Sequence, residues 1–441
     1  MYNRTIDLDG LRQFHHHLQR GRLSRRVERS PLPFGRHRWV LPDGQAGLEI
    51  VATPRPREEF DTWLNAQAGI AMDAERAPEW HLAVLPFVDG GAGVSLVVSH
   101  GLTDGIGLCE AVADAACGRD HLVSWPAAES RPRWRALRED ARQTARDIPG
   151  IGRAVVAVAA AARSSPRSRR RAASTKHRPA QPSERIFRPD ERVTVPAATV
   201  FVDADEWDAR ASSLGGTNNA LLAGLTARLA QKMTRVTADG SVTLTMPVNV
   251  RTDGDTRANA LVSAQLTVDP DAAVTDLGEI RAATKQALIR RQEVPDKQHA
   301  LLHLVPLVPE RLVKRMVGLA SGSVTRVDSS NLGMVNPAAC RPDGTPADQF
   351  AIRSHALGAT SAFMHRAGGL LNVFSGTVQR QVFVSVVAYQ PGCSNSNDAL
   401  RQHLSSAMSD FALAATTEWS RASTSSDSSA SSPAEAERTN P

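Results

Sequence analysis

The stretch Ser99-His100-Gly101-Leu102-Thr103-Asp104-Gly105 decides how the rest of the chain is read. On its N-terminal side Val94-Ser95-Leu96-Val97-Val98 is nearly all apolar, the composition of a strand covered on both faces. Further upstream, His81 to Phe87 is a second β-rich run. The Asp89-Gly90 pair between the two supplies the positive φ of a tight turn, so the runs predict a hairpin. On the C-terminal side Ile106, Cys109, Val112, Ala113, Ala116 and Cys117 recur at intervals of three and four, and Gly118 stands where a helix would end. The seven residues therefore occupy a strand-to-helix turn, a place where a rigid strand presents a side chain to a cavity.

Chemistry is expected from His100. An imidazole changes charge near neutral pH, so it can accept a proton from an attacking hydroxyl or amine and return it to a leaving thiolate. Asp104 has two competing roles: orienting the ring as in a triad, or holding the loop through backbone amides and an arginine from elsewhere. The second is favoured, because a short carboxylate in a tight turn reaches amides and a guanidinium more easily than a neighbouring ring. Gly105 permits close approach and starts the helix. His15-His16-His17 has no carboxylate or Cys at ligand spacing and is expected on an exposed helix, so no metal site is predicted. His303, His355 and His365 have no supporting pattern.

The chain has 441 residues, 41% hydrophobic and 22% charged, more than one core usually serves, and two domains are expected. The first runs over 1–150. Composition then shifts to Ala, Arg, Ser and Pro, and 151–190 reads as a basic Ser/Pro-rich linker carrying Arg163, Arg167, Arg169, Arg170, Arg171, Lys176 and Arg178. That run is either a solvated connection with no partner or an attraction for anionic lipid headgroups or ligand phosphates. A second domain is expected over 191–420, with a helix capped by Thr217, alternating strands at Ser241–Val250 and Leu261–Val268, a basic helix at Asp276–Arg291, a hairpin at Leu371–Tyr389 and a closing helix with Leu400, Leu404, Met408 and Phe411 on one stripe. The Ser-rich end, 421–441, is too polar to order itself and is expected to be a disordered tail.

Other classes recede. There is no apolar leader at the N-terminus, and the apolar run Ala154–Ala162 is too short for a bilayer span, so a cytoplasmic location is expected. Cys109, Cys117, Cys340 and Cys393 form no Cys-x-x-Cys pair and read as reduced structural thiols. No phosphate-binding Gly loop occurs. With 5% aromatics and no recognised module, the net charge of +6 is assigned to lipid or CoA phosphates, and no nucleic-acid partner is expected.

The residues resemble the superfamily that contains chloramphenicol acetyltransferase, the condensation domains of peptide synthetases and the bacterial wax ester synthase/diacylglycerol acyltransferases, the last branch most of all. The resemblance rests on Arg22-Leu23-Ser24-Arg25-Arg26-Val27, His37-Arg38-Trp39-Val40, Ala77-Pro78-Glu79-Trp80-His81-Leu82, the His-x-x-x-Asp-Gly motif itself, Thr217-Asn218-Asn219-Ala220-Leu221-Leu222-Ala223, Met246-Pro247-Val248-Asn249-Val250-Arg251 and Ser330-Asn331-Leu332-Gly333. These follow the family's order over roughly residues 20 to 335. Two positions depart from it: the family's His-His is Ser99-His100 here, and its Asn-Asp is Asn218-Asn219. The second His of that pair is the family's base, so the resemblance keeps His100 in that role.

The resemblance implies a mixed α/β fold: two chloramphenicol-acetyltransferase-like α/β sandwich domains with mixed sheets and an active-site channel between them, His100 at its middle. It implies Arg251 as partner of Asp104, and Asn331, with Ser330, Gly333 and Asn218 nearby, as an oxyanion donor or channel lining. Acyl-CoA is then co-substrate and no cofactor is required. The leading expectation is acyl transfer from acyl-CoA to a hydrophobic alcohol such as a diacylglycerol or fatty alcohol, with contact to a membrane or lipid-droplet surface. An alternative takes its donor from an acyl carrier protein in natural-product or complex-lipid assembly. A third, of another class, is a binding or scaffold module without turnover.

Overall fold

In the computed structural model the described residues are 1–44, 46–73, 75, 79–119, 124–173, 191–252, 254–293, 327–356, 358–417 and 419. The expected tail at 421–441, the end of the expected linker from 174 to 190, and His303 lie outside them.

The chain opens with α1 (Leu8–Leu18), whose N-cap Asp7 accepts from the amides of Asp9 and Gly10 and whose Leu11, Phe14 and Leu18 are buried at three- and four-residue spacing. His15 is half-buried there, with its Nε2 2.8 Å from the Ala46 carbonyl, so the expected exposed histidine cluster is partly structural. Strands β1 (Arg26–Glu28) and β2 (Arg38–Val40) pair antiparallel. Next come β3 (Leu48–Ile50), α2 (Phe60–Ala68) and the expected hairpin, β4 (Trp80–Pro86) with β5 (Ala92–Val98), turning at Gly90 with φ +86°. Together β3, β4 and β5 form a three-stranded mixed sheet. Helix α3 (Gly105–Ala116) leaves the hairpin directly, and Gly118 sits past its end at φ +70°.

Helix α4 spans Arg133–Ala173. The segment from 151 that composition marks as a linker is thus helical through Ala173. Ala and Arg are strong helix formers, and over this length they outweigh the Ser and Pro that suggested a loop.

The C-terminal half builds a seven-stranded mixed sheet from β6 (Ala197–Asp203), β7 (Val242–Asn249), β8 (Leu261–Val268), β9 (Val327–Met334), β10 (Leu370–Val378), β11 (Gln381–Tyr389) and β12 (Thr416–Thr417), in the order β12-β6-β11-β10-β9-β7-β8. β9 is parallel to both β7 and β10, and the other pairs are antiparallel. Pro247 is tolerated inside β7 because pairing with β9 covers only Leu244 and Thr245.

The two faces of this sheet explain the packing. Val200, Val202, Val382, Val384 and Val386 pack with α5 (Ala204–Ser213), α6 (Asn218–Lys232) and α9 (Asn397–Asp410) in one hydrophobic core. Thr217 caps α6 and Ser396 caps α9. Phe201, Val378 and Phe383 belong to a second core with α1, α2, α3 and the β4–β5 hairpin. Neighbouring residues of one strand go to different cores because side chains alternate along it. The division of the chain near 150–190 therefore does not divide the hydrophobic contacts: Val335, Ala339 and Cys340 also join the N-terminal core. Helices α7 (Gly278–Glu293) and α8 (Ser361–Ala367) complete the described elements. Among the described residues, no helix is long and apolar enough to cross a membrane.

Candidate active site

β5 ends at Val98, and its next residue is tied to the upstream edge, the Ser99 amide donating to the Glu79 carbonyl at 2.9 Å. The chain turns at once: the Leu102 amide donates to the Ser99 carbonyl at 2.9 Å and the Gly101 amide to Ser99 Oγ at 3.2 Å. Ser99, which replaces the first His of the resembling motif, thus caps the turn. Leu102, Thr103 and Asp104 are buried, whereas His100 and Gly101 are exposed. The turn is anchored on its far side and leaves the imidazole open.

Asp104 caps α3 and is fully used. Its Oδ1 accepts from the Gly107 amide at 2.8 Å, and its Oδ2 accepts from Arg251 Nη2 at 2.6 Å and from the Ala260 amide at 2.8 Å. Its own amide donates to the Ala258 carbonyl at 3.0 Å. The carboxylate holds the loop, and no hydrogen bond from it to the imidazole occurs. The side chains of Arg251 and Asp104 are 2% and 0% exposed, a buried ion pair rather than a surface one. Gly107 makes the approach possible: a Cβ there would sit 2.5 Å from Thr103 Oγ1 and 3.1 Å from Arg251 Nη2.

Arg251 stands just after β7, and the loop from there to β8 wraps the motif. Arg251 Nη1 donates to the carbonyls of Asp255 and Arg257, and Nη2 also to that of Ala258. Asn259 Nδ2 donates to the His100 carbonyl at 2.9 Å, so the backbone of His100 itself is held from the C-terminal half.

A second arginine braces the other side. Arg25 is buried, donates to the carbonyls of Leu102 and Thr256, and lies 4.4 Å and 4.8 Å from the ring centroids of Trp39 and Trp125. Burial, with Arg22 and Arg251 nearby, pushes its guanidinium down to about 10, leaving it cationic at neutral pH. Arg22 pairs with Glu110 of α3 at 3.2 Å and donates to the Asp255 carbonyl.

The remaining candidates divide. Leu332 packs on Gly105, its Cδ2 2.8 Å from where a Cβ would be, which brings the Ser330–Gly333 segment of β9 beside the start of α3. Asn331 Oδ1 accepts from the Gly333 amide, and its Nδ2 donates to Asn219 Oδ1 at 2.6 Å. Gly333 has φ +67° in the irregularity of the β9–β10 register. Ser330 lies opposite Phe374 and is half-buried. Asn218 points elsewhere: its Nδ2 donates to Asp208 of α5 at 2.6 Å, and its neighbour Asn219 is the one that reaches Asn331. Consecutive helix residues diverge by about 100°, so only one of them can face β9.

A cavity of about 370 Å³ adjoins the motif along α3, lined by Arg22, Ile106, Cys109, Glu110, Leu332 and Asn336 among others. His100 is not in its lining. Burial, then Glu110, pushes the Cys109 thiol up to about 12, so it is no nucleophile.

Arg25, Asn219 and Asn259 escape the sequence reading as functional residues. Arg25 was visible only as part of the Arg22–Arg26 cluster, and Asn259 carried no signal.

No family model matches the chain, and no curated protein matches it. Solved structures similar to it include the first condensation domain of the CDA synthetase, at 13% identity over 94% of this chain and 92% of that one with a TM-score of 0.49. The tallysomycin biosynthesis protein TlmII is similar at 16% identity over 93% and 91%, TM-score 0.46. The epimerization domain from the third module of tyrocidine synthetase B is similar at 14% identity over 92% and 90%, TM-score 0.44.

Proposed function

We propose that the chain is an acyltransferase in which His100 is the general base. The observation that carries this reading is the contrast within one turn: an exposed imidazole on a backbone that Asp104, Arg251, Asn259 and Arg25 hold in place. A preorganised base on a rigid turn needs no reordering at the moment of proton transfer.

In this reading a hydroxyl or amine of the acceptor gives its proton to the imidazole as its oxygen or nitrogen attacks the thioester carbonyl. The tetrahedral intermediate collapses, the C–S bond breaks, and the imidazolium returns the proton to the leaving thiolate. Asp104 is a positioning residue, since both of its oxygens are spent on Arg251 and on the amides of Gly107 and Ala260. Asn331 keeps one amide hydrogen beyond its bond to Asn219 and is the proposed donor to the oxyanion or lining of the substrate channel.

The donor is an acyl thioester, on CoA or on the pantetheine arm of a carrier protein; both present the same carbonyl to the base. For the CoA form the proposed acceptor is a hydrophobic alcohol, a diacylglycerol or a fatty alcohol. The test is thiol release from palmitoyl-CoA and, separately, from a palmitoylated carrier protein, each with lipid alcohols and with an amine, for wild type and His100→Ala. Release that falls at least about a hundredfold in the variant supports the reading. Equal release from both proteins removes His100 as base, and no release from either donor removes the enzyme reading in favour of a binding module.

A further inference from the structure

Helix α4 presents to solvent one face for which no apolar partner occurs among the described residues. Trp134, Leu137, Ile148, Val155 and Val156 are 64, 42, 61, 53 and 68% exposed. At about 100° per residue they share an arc of about 100° with Ala141, Ala145 and Gly152, which are also exposed, in a stripe about 33 Å long. Within that arc the one charged position is Arg138, at the edge that Val156 also marks; the other positions are apolar or small.

The charges of the helix are sorted as well. Asp140 and Asp147 turn toward the protein side of the helix and pair with Arg131 and Arg36, and Glu139 stands between that side and the exposed arginines, pairing with both Arg131 and Arg135. Ala136, Asp140, Gly150 and Ala154 are the buried positions of that side. Arg135, Arg138, Arg142, Arg146 and Arg153 run alongside the apolar stripe within about 80° of one another. All five are exposed, and among the described residues Arg138, Arg142, Arg146 and Arg153 make no ion pair. From Arg133 to Ala173 the sequence has eleven arginines against three carboxylates, an excess larger than the net +6 of the whole chain. The remainder of the protein is therefore slightly acidic, and the positive charge belongs to this helix.

We propose that this face of α4 binds the surface of an anionic lipid bilayer. A bilayer interface meets both requirements at once: the acyl boundary takes the apolar stripe, and the headgroup phosphates take the flanking guanidiniums. Trp134 at one end has the amphipathic ring that settles at headgroup depth. A nucleic acid would answer the arginines and leave the stripe against phosphate. An acidic protein would need an apolar groove of matching length beside its carboxylates. The proposal does not depend on acyl transfer, and its test uses neither donor nor acceptor, so either reading can fail alone.

The experiment is co-sedimentation of the full chain with phosphatidylcholine vesicles, pure or with about 30% phosphatidylglycerol, in wild type, Ile148→Asp/Val155→Asp and Arg142→Gln/Arg146→Gln forms. Both double variants alter exposed positions, and circular dichroism verifies that each retains the fold. The expected result is binding to the anionic vesicles at least about tenfold above the neutral ones, weakened by salt and reduced at least about tenfold by either double variant. Four outcomes overturn the proposal: no vesicle binding, equal binding to neutral and anionic vesicles, binding unchanged in both variants, or retention of the chain on polyglutamate without vesicle binding, which assigns the face to an acidic protein.

Discussion

Two halves of one short turn live under opposite conditions. His100 and Gly101 are open to solvent, and with the half-buried Ser99 they contact their neighbours through a serine hydroxyl and backbone atoms. Leu102 to Asp104 is buried and tied down by groups from residues 25, 251, 258 and 260. The difference separates what is held from what is left open. Placed inside, a carboxylate needs a cation, and Arg251 supplies it; placed outside, the His100 ring is left open to solvent, as the proposed role of base requires. The same comparison yields expected effects: substitutions in the buried half unfold the site, whereas a substitution at the open end abolishes chemistry and leaves stability alone.

The largest effect on stability is expected at Asp104. Replacing it by Ala strands Arg251, whose side chain is 2% exposed, as an unpaired buried charge. That loss is typically about 3–5 kcal/mol. The double variant Asp104→Ala/Arg251→Met removes the stranded charge and should recover part of the loss. Urea unfolding of wild type, Asp104→Ala, Arg251→Met and the double variant, four proteins, checks this. A double variant as unstable as the sum of its singles would show that the pair is not the unit that holds the turn.

Arg25→Met is expected next, at about 2 kcal/mol. It leaves the buried carbonyl of Leu102 without its donor, a loss of about 1–3 kcal/mol for a buried acceptor, and removes a second bond to the carbonyl of the exposed Thr256. No carboxylate among the described residues pairs with Arg25, so its removal strands no opposite charge, and this places it below Asp104. A loss equal to that of Asp104→Ala would put the weight of the turn on Arg25 and its tryptophans instead.

How much of this was legible in the sequence depends on distance and on chemistry. The hairpin, the helix after Gly105, the Thr217 cap and the pairing of Arg251 with Asp104 all follow from local patterns or from the resemblance. Arg25 and Asn259 act on carbonyl oxygens of Leu102 and His100, and a carbonyl is the same in every residue, so no side-chain pattern marks its partner. The choice between Asn218 and Asn219 turned on the rotation of a helix about its axis, which a short motif does not specify. In the segment from 151 to 173, Ser and Pro read as a loop, and the helical preference of the surrounding Ala and Arg decided otherwise.

A smaller effect belongs to Asn259→Ala. It removes one bond, from an exposed amide to the His100 carbonyl, with an expected loss of about 1 kcal/mol in the unfolding midpoint. Its activity should fall more than its stability, because the bond fixes the backbone from which the imidazole projects. Thiol release and unfolding measured on one preparation separate the two. A variant that loses both in proportion would mean that Asn259 only stabilises the loop.

The smallest stability effect is expected at His100 itself, and it is the sharpest test of the contrast. The ring is exposed, and among the described residues no hydrogen bond or ion pair of its nitrogens occurs, so His100→Ala should unfold within about 0.5 kcal/mol of wild type. The same substitution should lower thiol release at least about a hundredfold, equivalent to about 2.7 kcal/mol in the barrier. Structural and chemical costs then fall on different residues of one turn. A His100→Ala protein destabilised by more than about 2 kcal/mol would break the comparison, since it would mean that the imidazole is itself part of the scaffold and that its loss of activity reports unfolding and not proton transfer.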